Sequence, residues 1–151
     1  MPTAAGNNAT TNQYGRIISV DVGMQYVGLA RTDLLKTVAS PFGTYSPPEA
    51  IKMICRQVEH DNVETIVVGW PLKIDGSIGP AIKMVEQFIK RLTPKLPRQV
   101  PIEKVDERYS SKEAKATLIE TGVSRKKRSE KDRIDRVAAA IILEEYLLQI
   151  S

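Results

Sequence analysis

Apolar residues along the 151-residue chain fall into two periodicities that alternate in a definite order. From Arg16 to Val22 the run RIISVDV is almost continuously apolar, as a strand buried on both faces requires, and Gly23-Met24-Gln25 turns it into a second run from Val27 to Thr32. Thr37 to Tyr45 supplies a third strand, so this part of the chain predicts an antiparallel meander. Pro47-Pro48-Glu49 then opens a helix with proline in its first turn and Ile51, Ile54, Cys55 and Val58 on its buried stripe. Val63 to Val68 is a β-branched strand leading to Gly69-Trp70-Pro71. After the loop LKIDGSIGP comes a helix with the stripe Ile82, Val85, Ile89 and Leu92, stopped by Pro94 and Pro97. Val100 to Val105 is a further strand, closing on Asp106-Glu107-Arg108. Ser110 and Glu113 form a capping box for a helix that reaches Gly122, and Ile134, Val137, Ala138, Ile141 and Ile142 mark a long final helix. A meander followed by alternating helices and strands predicts an α/β fold with a mixed sheet flanked by helices.

Composition narrows the setting. With 42% hydrophobic and 26% charged residues the chain reads as one folded domain, and no stretch approaches the roughly 20 apolar residues of a membrane helix. The first residues lack a charged-then-apolar signal pattern. Residues 1–14 are therefore expected to form a disordered polar arm and 15–151 a single domain, in a cytoplasmic protein with no membrane partner. A single cysteine excludes an intrachain disulfide or a thiolate metal cluster. Cys55 reads as a core residue of its helix, and His60 as a solvated helix-end residue, which removes histidine-dependent catalysis.

Charge adds a partner. Residues 125–133, RKKRSEKDR, hold six basic and two acidic side chains, which equals the whole net charge of +4 and leaves the rest of the chain balanced. A local basic segment on a neutral body points to a polyanion rather than to general solubility.

The candidate chemistry lies in the acids at the strand ends. Asp21 falls at the end of the first buried strand, Asp106 and Glu107 close the last, and Asp132 and Asp135 begin the final helix. Carboxylates converging at one sheet edge cannot all remain ionised without a cation. Hard oxygen donors without histidine or cysteine select Mg²⁺ or Mn²⁺, whose shell is completed by water and substrate phosphate. Two such ions about 3.5–4 Å apart would clamp the attacking and leaving oxygens of a phosphodiester, so the implied chemistry is two-metal phosphodiester hydrolysis. Asp21 is the hardest to explain otherwise, because a carboxylate in a buried run is costly without a partner. Asp132 and Asp135 also suit the N-cap and N3 positions of a helix, and Glu107-Arg108 suits a surface ion pair.

Four stretches together resemble the YqgF family, also called RuvX: Asp21-Val22-Gly23 with Gly28 behind it, IVVGWPLKIDGSIGP (66–80), VDERYSS (105–111), and GVSRKKR followed by RIDRVAAAIILEEYL (122–147). The resemblance covers nearly everything from Arg16 onward. It implies an RNase H-like fold, in which the meander is joined by two parallel strands, and a three-acid catalytic and metal-binding site of Asp21, Glu107 and Asp135. It further implies a nuclease acting near the 5′ end of the 16S ribosomal RNA precursor, the older assignment being resolution of branched DNA junctions by analogy with RuvC. Strand alternation alone leaves open whether Asp106 or Glu107 points inward; Glu107 is favoured, with Asp106 as a supporting group.

Three positions depart from the family pattern. Tyr26 stands where a basic residue is usual, Trp70 where a small aliphatic is usual, and Asp132 where an acid is usually absent. Packing is the favoured role for Trp70 over stacking on a base, and capping the favoured role for Asp132 over a fourth metal contact. Gly23 permits the turn after the acid and Gly28 leaves room beside it. Arg125, Lys126, Lys127 and Arg128, read as a loop before Asp135, are expected to grip backbone phosphates with Arg108 and with Ser77, which lies at a predicted helix start. Rival readings are a nucleotide-binding lobe of the actin and sugar-kinase type, for which the chain is too short, and a catalytically silent nucleic-acid-binding module. Junction resolution would favour a homodimer, since two symmetric cuts need two sites.

Overall fold

The computed structural model describes residues 14–71, 79–106 and 127–150, with the side chains of the last segment from residue 138 onward. Five strands, β1 (Arg16–Val22), β2 (Val27–Thr32), β3 (Ala39–Tyr45), β4 (Val63–Trp70) and β5 (Ile102–Asp106), form one sheet in the order β3-β2-β1-β4-β5. β1, β2 and β3 pair antiparallel, β4 lies parallel to β1, and β5 parallel to β4. This is the mixed five-stranded sheet of an RNase H-like fold. Three α-helices accompany it among the described residues: α1 (Pro47–His60), α2 (Pro80–Leu92) and α3 (Lys127–Ile150).

The central position of β1 explains its apolar run. Ile18, Val20 and Val22 face a core shared with α1 and α2, where Ile51, Ile54, Val85 and Phe88 meet them. Ile17 faces the other way, into a core under α3 with Val67, Val105, Ala139, Ile142 and Leu143. Each of these fully buried isoleucines contributes about 2–3 kcal/mol, so β1 cannot shift register without exchanging its two apolar faces. Pro47 and Pro48 occupy the first turn of α1, where a missing N–H costs nothing, and the Ser46 hydroxyl donates to the Glu49 carboxylate (3.1 Å).

Several boundaries differ from the sequence expectations. β3 begins at Ala39 rather than Thr37, because the Asp33 carboxylate accepts the Thr37 and Val38 amides (2.8 Å each) and holds them in a loop. β4 continues past Val68 to Trp70, paired there with β5, while β5 itself begins only at Ile102. On α2 the buried stripe takes Phe88, and Ile89 is half-buried. Cys55 is half-buried rather than fully in the core, its thiol donating to the Lys95 carbonyl (3.3 Å).

The largest correction concerns α3. It starts at Lys127, so Asp132 lies inside the helix and not at its N-cap, Asp135 is well beyond the first turn, and Lys127 and Arg128 belong to the first turn rather than to a loop. The reason is propensity: residues 127–133, KRSEKDR, contain no glycine or proline and consist mostly of straight-chain helix formers, which carry the helix upstream of its buried stripe. That stripe comprises Ala138, Ala139, Ile142, Leu143 and Tyr146, with Ile141 half-buried. The expected arm through residue 13, the loop holding Ser77, the helix from Ser110 to Gly122, and Glu107, Arg108, Arg125 and Lys126 lie outside the described residues.

Candidate active site

Asp21 sits one residue before the end of β1 and is 9% exposed, the only buried carboxylate among the described residues. Across the strand pair it faces Gly28. Opposed residues of an antiparallel pair project to the same side, so Gly28 places no side chain beside the carboxylate. The turn that follows is closed by the Gly23 amide donating to the Tyr26 carbonyl (2.9 Å), and a Cβ at Gly23 would approach that oxygen to 2.7 Å. Tyr26 itself is 39% exposed at the turn.

Which face Asp21 occupies follows from its alternation partners. Ile17 packs under α3, and the buried Ser19 hydroxyl donates to the Ala139 carbonyl of α3 at 2.6 Å. Asp21, two residues further on, therefore shares the α3 face. The helix runs antiparallel to β1: its end, at Glu144, Leu147 and Leu148, borders Lys36 to Ala39, and the Lys36 ammonium reaches the Gly15 carbonyl at the start of β1. The backbone of Asp135 lies one turn upstream of Ala139, about 6 Å along the helix axis. Asp21 lies about 6.6 Å beyond Ser19 along the strand, in the same direction. The Ser19–Ala139 bond thus brings the backbone of Asp135 level with Asp21. Asp132 lies nearly one turn further along α3.

Asp106 is placed differently. It ends β5, is exposed, and pairs with Trp70. Val105 joins the core under α3, and Glu103 accepts a hydrogen bond from the Tyr146 hydroxyl of that helix. Burial above all, and then the Glu103 carboxylate, push the Tyr146 pKa above the ordinary tyrosine value. Asp106, of opposite parity, projects from the other face, where Trp70 packs against the α1–α2 core. With β4 between β1 and β5, Asp21 and Asp106 share an edge of the sheet, but they stand two strand spacings, about 10 Å, apart and on opposite faces. Among the described residues no three acidic, histidine or cysteine side chains gather in one place. The oxygen donor at Asp21, with no sulfur or imidazole at this edge among the described residues, suits a hard divalent cation.

Two side chains that sequence reasoning did not single out shape this edge. Ser19 is the second polar residue in an apolar run, of the same parity as Asp21, and that pairing was the signal available for it. Lys104 places its ammonium 4.1 Å from the centre of the Trp70 ring, a contact between strands that no sequence spacing reveals. His60 is exposed at the end of α1, 3.7 Å from Glu59, as expected of a helix-end residue. Burial raises the pKa of the Cys55 thiol, which leaves it a poor nucleophile. No described helix is long and apolar enough to cross a membrane.

Comparison with known proteins places these features in a family. A protein of Chlorobium phaeobacteroides (strain BS1) bearing the provisional name pre-16S rRNA nuclease is 42% identical over 132 residues, covering 87% of this chain and 91% of the relative. A second of the same provisional name, from Salinibacter ruber (strain DSM 13855 / M31), is 40% identical over 139 residues, covering 92% and 96%. Among solved structures, T. thermophilus RuvC in complex with a Holliday junction substrate aligns over 91% of this chain and 97% of its own at a TM-score of 0.46 and 13% identity, a distant likeness. The model of the RuvX family, described as Holliday junction resolvase, matches residues 15–149. With the DVG, GWPL and DER stretches in its sequence and this mixed sheet in its fold, the chain belongs to the RuvX family.

Proposed function

We propose that this protein is a metal-dependent nuclease that hydrolyses phosphodiester bonds in the 5′-end maturation of the 16S ribosomal RNA precursor, in the cytoplasm. The observation that carries the reading is the Ser19–Ala139 hydrogen bond, because it sets α3 against β1 with the backbone of Asp135 level with the buried Asp21. The provisional names of the relatives support the choice of RNA.

In this reading Asp21, Glu107 and Asp135 hold the cation, Mg²⁺ or Mn²⁺. Glu107 has the parity of Glu103 and Val105, which face α3, and this favours it over Asp106 as the third acid. A pair of bound ions would polarise the scissile phosphate and lower the pKa of the attacking water. The remaining work falls to the chain. Gly28, opposite Asp21, adds no side chain of its own where the phosphate would lie. The carboxylates fix the geometry of the donor set, with Asp21 anchored in a strand packed on both faces. Arg125, Lys126, Lys127 and Arg128, with Arg108 and the Ser77 amide, hold flanking phosphates without reading sequence. Asp132, inside α3 and close to one turn from Asp135, lies near enough along the helix to join the donor set as its fourth member.

A second reading, cleavage of branched DNA by a homodimer, is favoured by the description of the family model. A direct competition separates the two: precursor 16S rRNA and a four-way DNA junction are offered together to the purified protein with Mn²⁺ or Mg²⁺. The proposed function expects cleavage of the RNA at its 5′ side. Symmetric cutting of the junction with the RNA intact would instead establish the resolvase.

A further inference from the structure

The contact between Trp70 and Lys104 is not used by the three acids, and it stands at the same carboxyl edge of the sheet. Trp70 is the last residue of β4, the strand between those that carry Asp21 and Asp106. Its indole is half-buried, resting on the α1–α2 core, and the exposed Lys104 leans along β5 to lay its ammonium 4.1 Å over the ring. Beside Lys104 opens a cavity of about 270 Å³ lined by Glu86, Ile89, Lys90 and Lys104. Two lysines and one glutamate leave a single net positive charge, suited to one phosphate rather than to a run of them. An ammonium over an aromatic face at an exposed site is held only weakly, so it is readily exchanged for a phosphate contact.

We propose that Trp70 and Lys104 form a subsite for one unpaired nucleotide of the substrate, on the α1–α2 face of the sheet opposite Asp21, which the strand reaches as it passes over the carboxyl edge. Lys104 leaves the ring to bind the nucleotide's phosphate, and the base takes its place against the indole. A duplex cannot use this subsite, because its bases are stacked on each other and turned away from the protein. The inference rests on the nuclease reading and deepens it by naming the substrate feature the edge selects: a single-stranded residue near the cut, held on the other face of the sheet. Lys90, which lines the cavity with Lys104, stands ready as a second contact to the same phosphate.

The chain contains one tryptophan, so its emission reports on this subsite alone. Binding of a labelled single-stranded RNA and of a fully paired duplex of the same sequence is followed in EDTA by anisotropy of the label and by Trp70 emission. Because no cleavage occurs in EDTA, the outcome does not depend on the metal site. The single strand is expected to bind with a change in Trp70 emission and the duplex to bind without one. Trp70→Leu should weaken single-strand binding by at least about fivefold while leaving duplex binding unchanged, and Trp70→Phe should restore most of it. Lys104→Ala should reduce the slope of log affinity against log salt by about one. Thermal melting of each variant, monitored by circular dichroism, identifies any loss that comes from unfolding, and Trp70→Phe keeps the core contact. Single-strand binding with unaltered Trp70 emission and an unchanged salt slope in Lys104→Ala would overturn the subsite while leaving the nuclease reading in place. Absence of binding to either nucleic acid would overturn both.

Discussion

Ser19 has no charge and no exposure, yet its hydroxyl joins the strand that carries Asp21 to the helix that carries Asp135. Ser19→Ala removes one buried hydrogen bond and should cost about 1 kcal/mol in a denaturant titration. If the bond also sets the level of α3 against β1, the cleavage rate of the still-folded variant should fall by more than the loss of folded protein accounts for; a rate that merely tracks the folded fraction would contradict that role. Asp33 offers an independent check through pH. The Thr37 hydroxyl first, then the Val38 amide, with the Thr37 amide adding less, hold its carboxyl at about 2 instead of 3.8. Because the folded pKa is the lower one, this stabilisation is fully present above about pH 4 and is lost as pH falls towards 2. Asp33→Asn should therefore lose less stability than the wild type between pH 5 and pH 2, and equal losses would show that the loop makes no such contribution. At this scale Asp21 was legible because a charge in a buried run demands a reason. Ser19 was not singled out, since an isolated serine in a strand carries no comparable penalty once its hydroxyl finds a carbonyl.

Elements were legible where one physical signal dominated. β1 and β2 match their expected spans because apolar runs end at a glycine turn on one side and at polar residues on the other. The start of β3 was missed because the Asp33 side chain competes with strand pairing for the Thr37 and Val38 amides, a tertiary detail of one loop. The start of α3 was missed because hydrophobic periodicity reports only the stretch that touches the sheet, whereas helix propensity extends beyond it. This correction alters the meaning of the basic segment. Lys127 and Arg128 stand in the first turn of α3, where the helix dipole disfavours cations by about 0.3–1 kcal/mol each. Replacing both with glutamine should hold or raise the melting temperature while weakening nucleic-acid binding and flattening its salt dependence, by up to about 0.9 in slope for each phosphate no longer neutralised. A destabilised variant with unchanged binding would mean that the two cations serve the helix and not the substrate.

On the scale of the whole molecule, the sheet order brings the ends of β1, β4 and β5 to one edge, and α3 approaches the same edge from above. The basic residues that carry the net charge of +4 lie within or just upstream of the first turns of that helix. In the proposed function a polyanion is thereby drawn to the edge where the acids would hold a cation, so binding should be salt-sensitive and cleavage should be metal-dependent. Removing metal with EDTA should stop cleavage and spare binding. The mixed sheet was legible from the order of periodicities together with the family resemblance. The faces were not, because parity separates Asp106 from Asp21 only once the register of β4 and β5 is known. The central claim, that Asp21 serves the chemistry rather than the fold, is tested most directly by comparing wild type and Asp21→Asn on precursor 16S rRNA with Mn²⁺ or Mg²⁺. Metal-held charge supplies several kcal/mol, and about 1.4 kcal/mol is a factor of ten, so the variant should cut at least about a hundredfold more slowly while binding the RNA nearly as well. Cleavage by the variant at the wild-type rate, or an intact substrate with both proteins under every metal condition, would contradict the account.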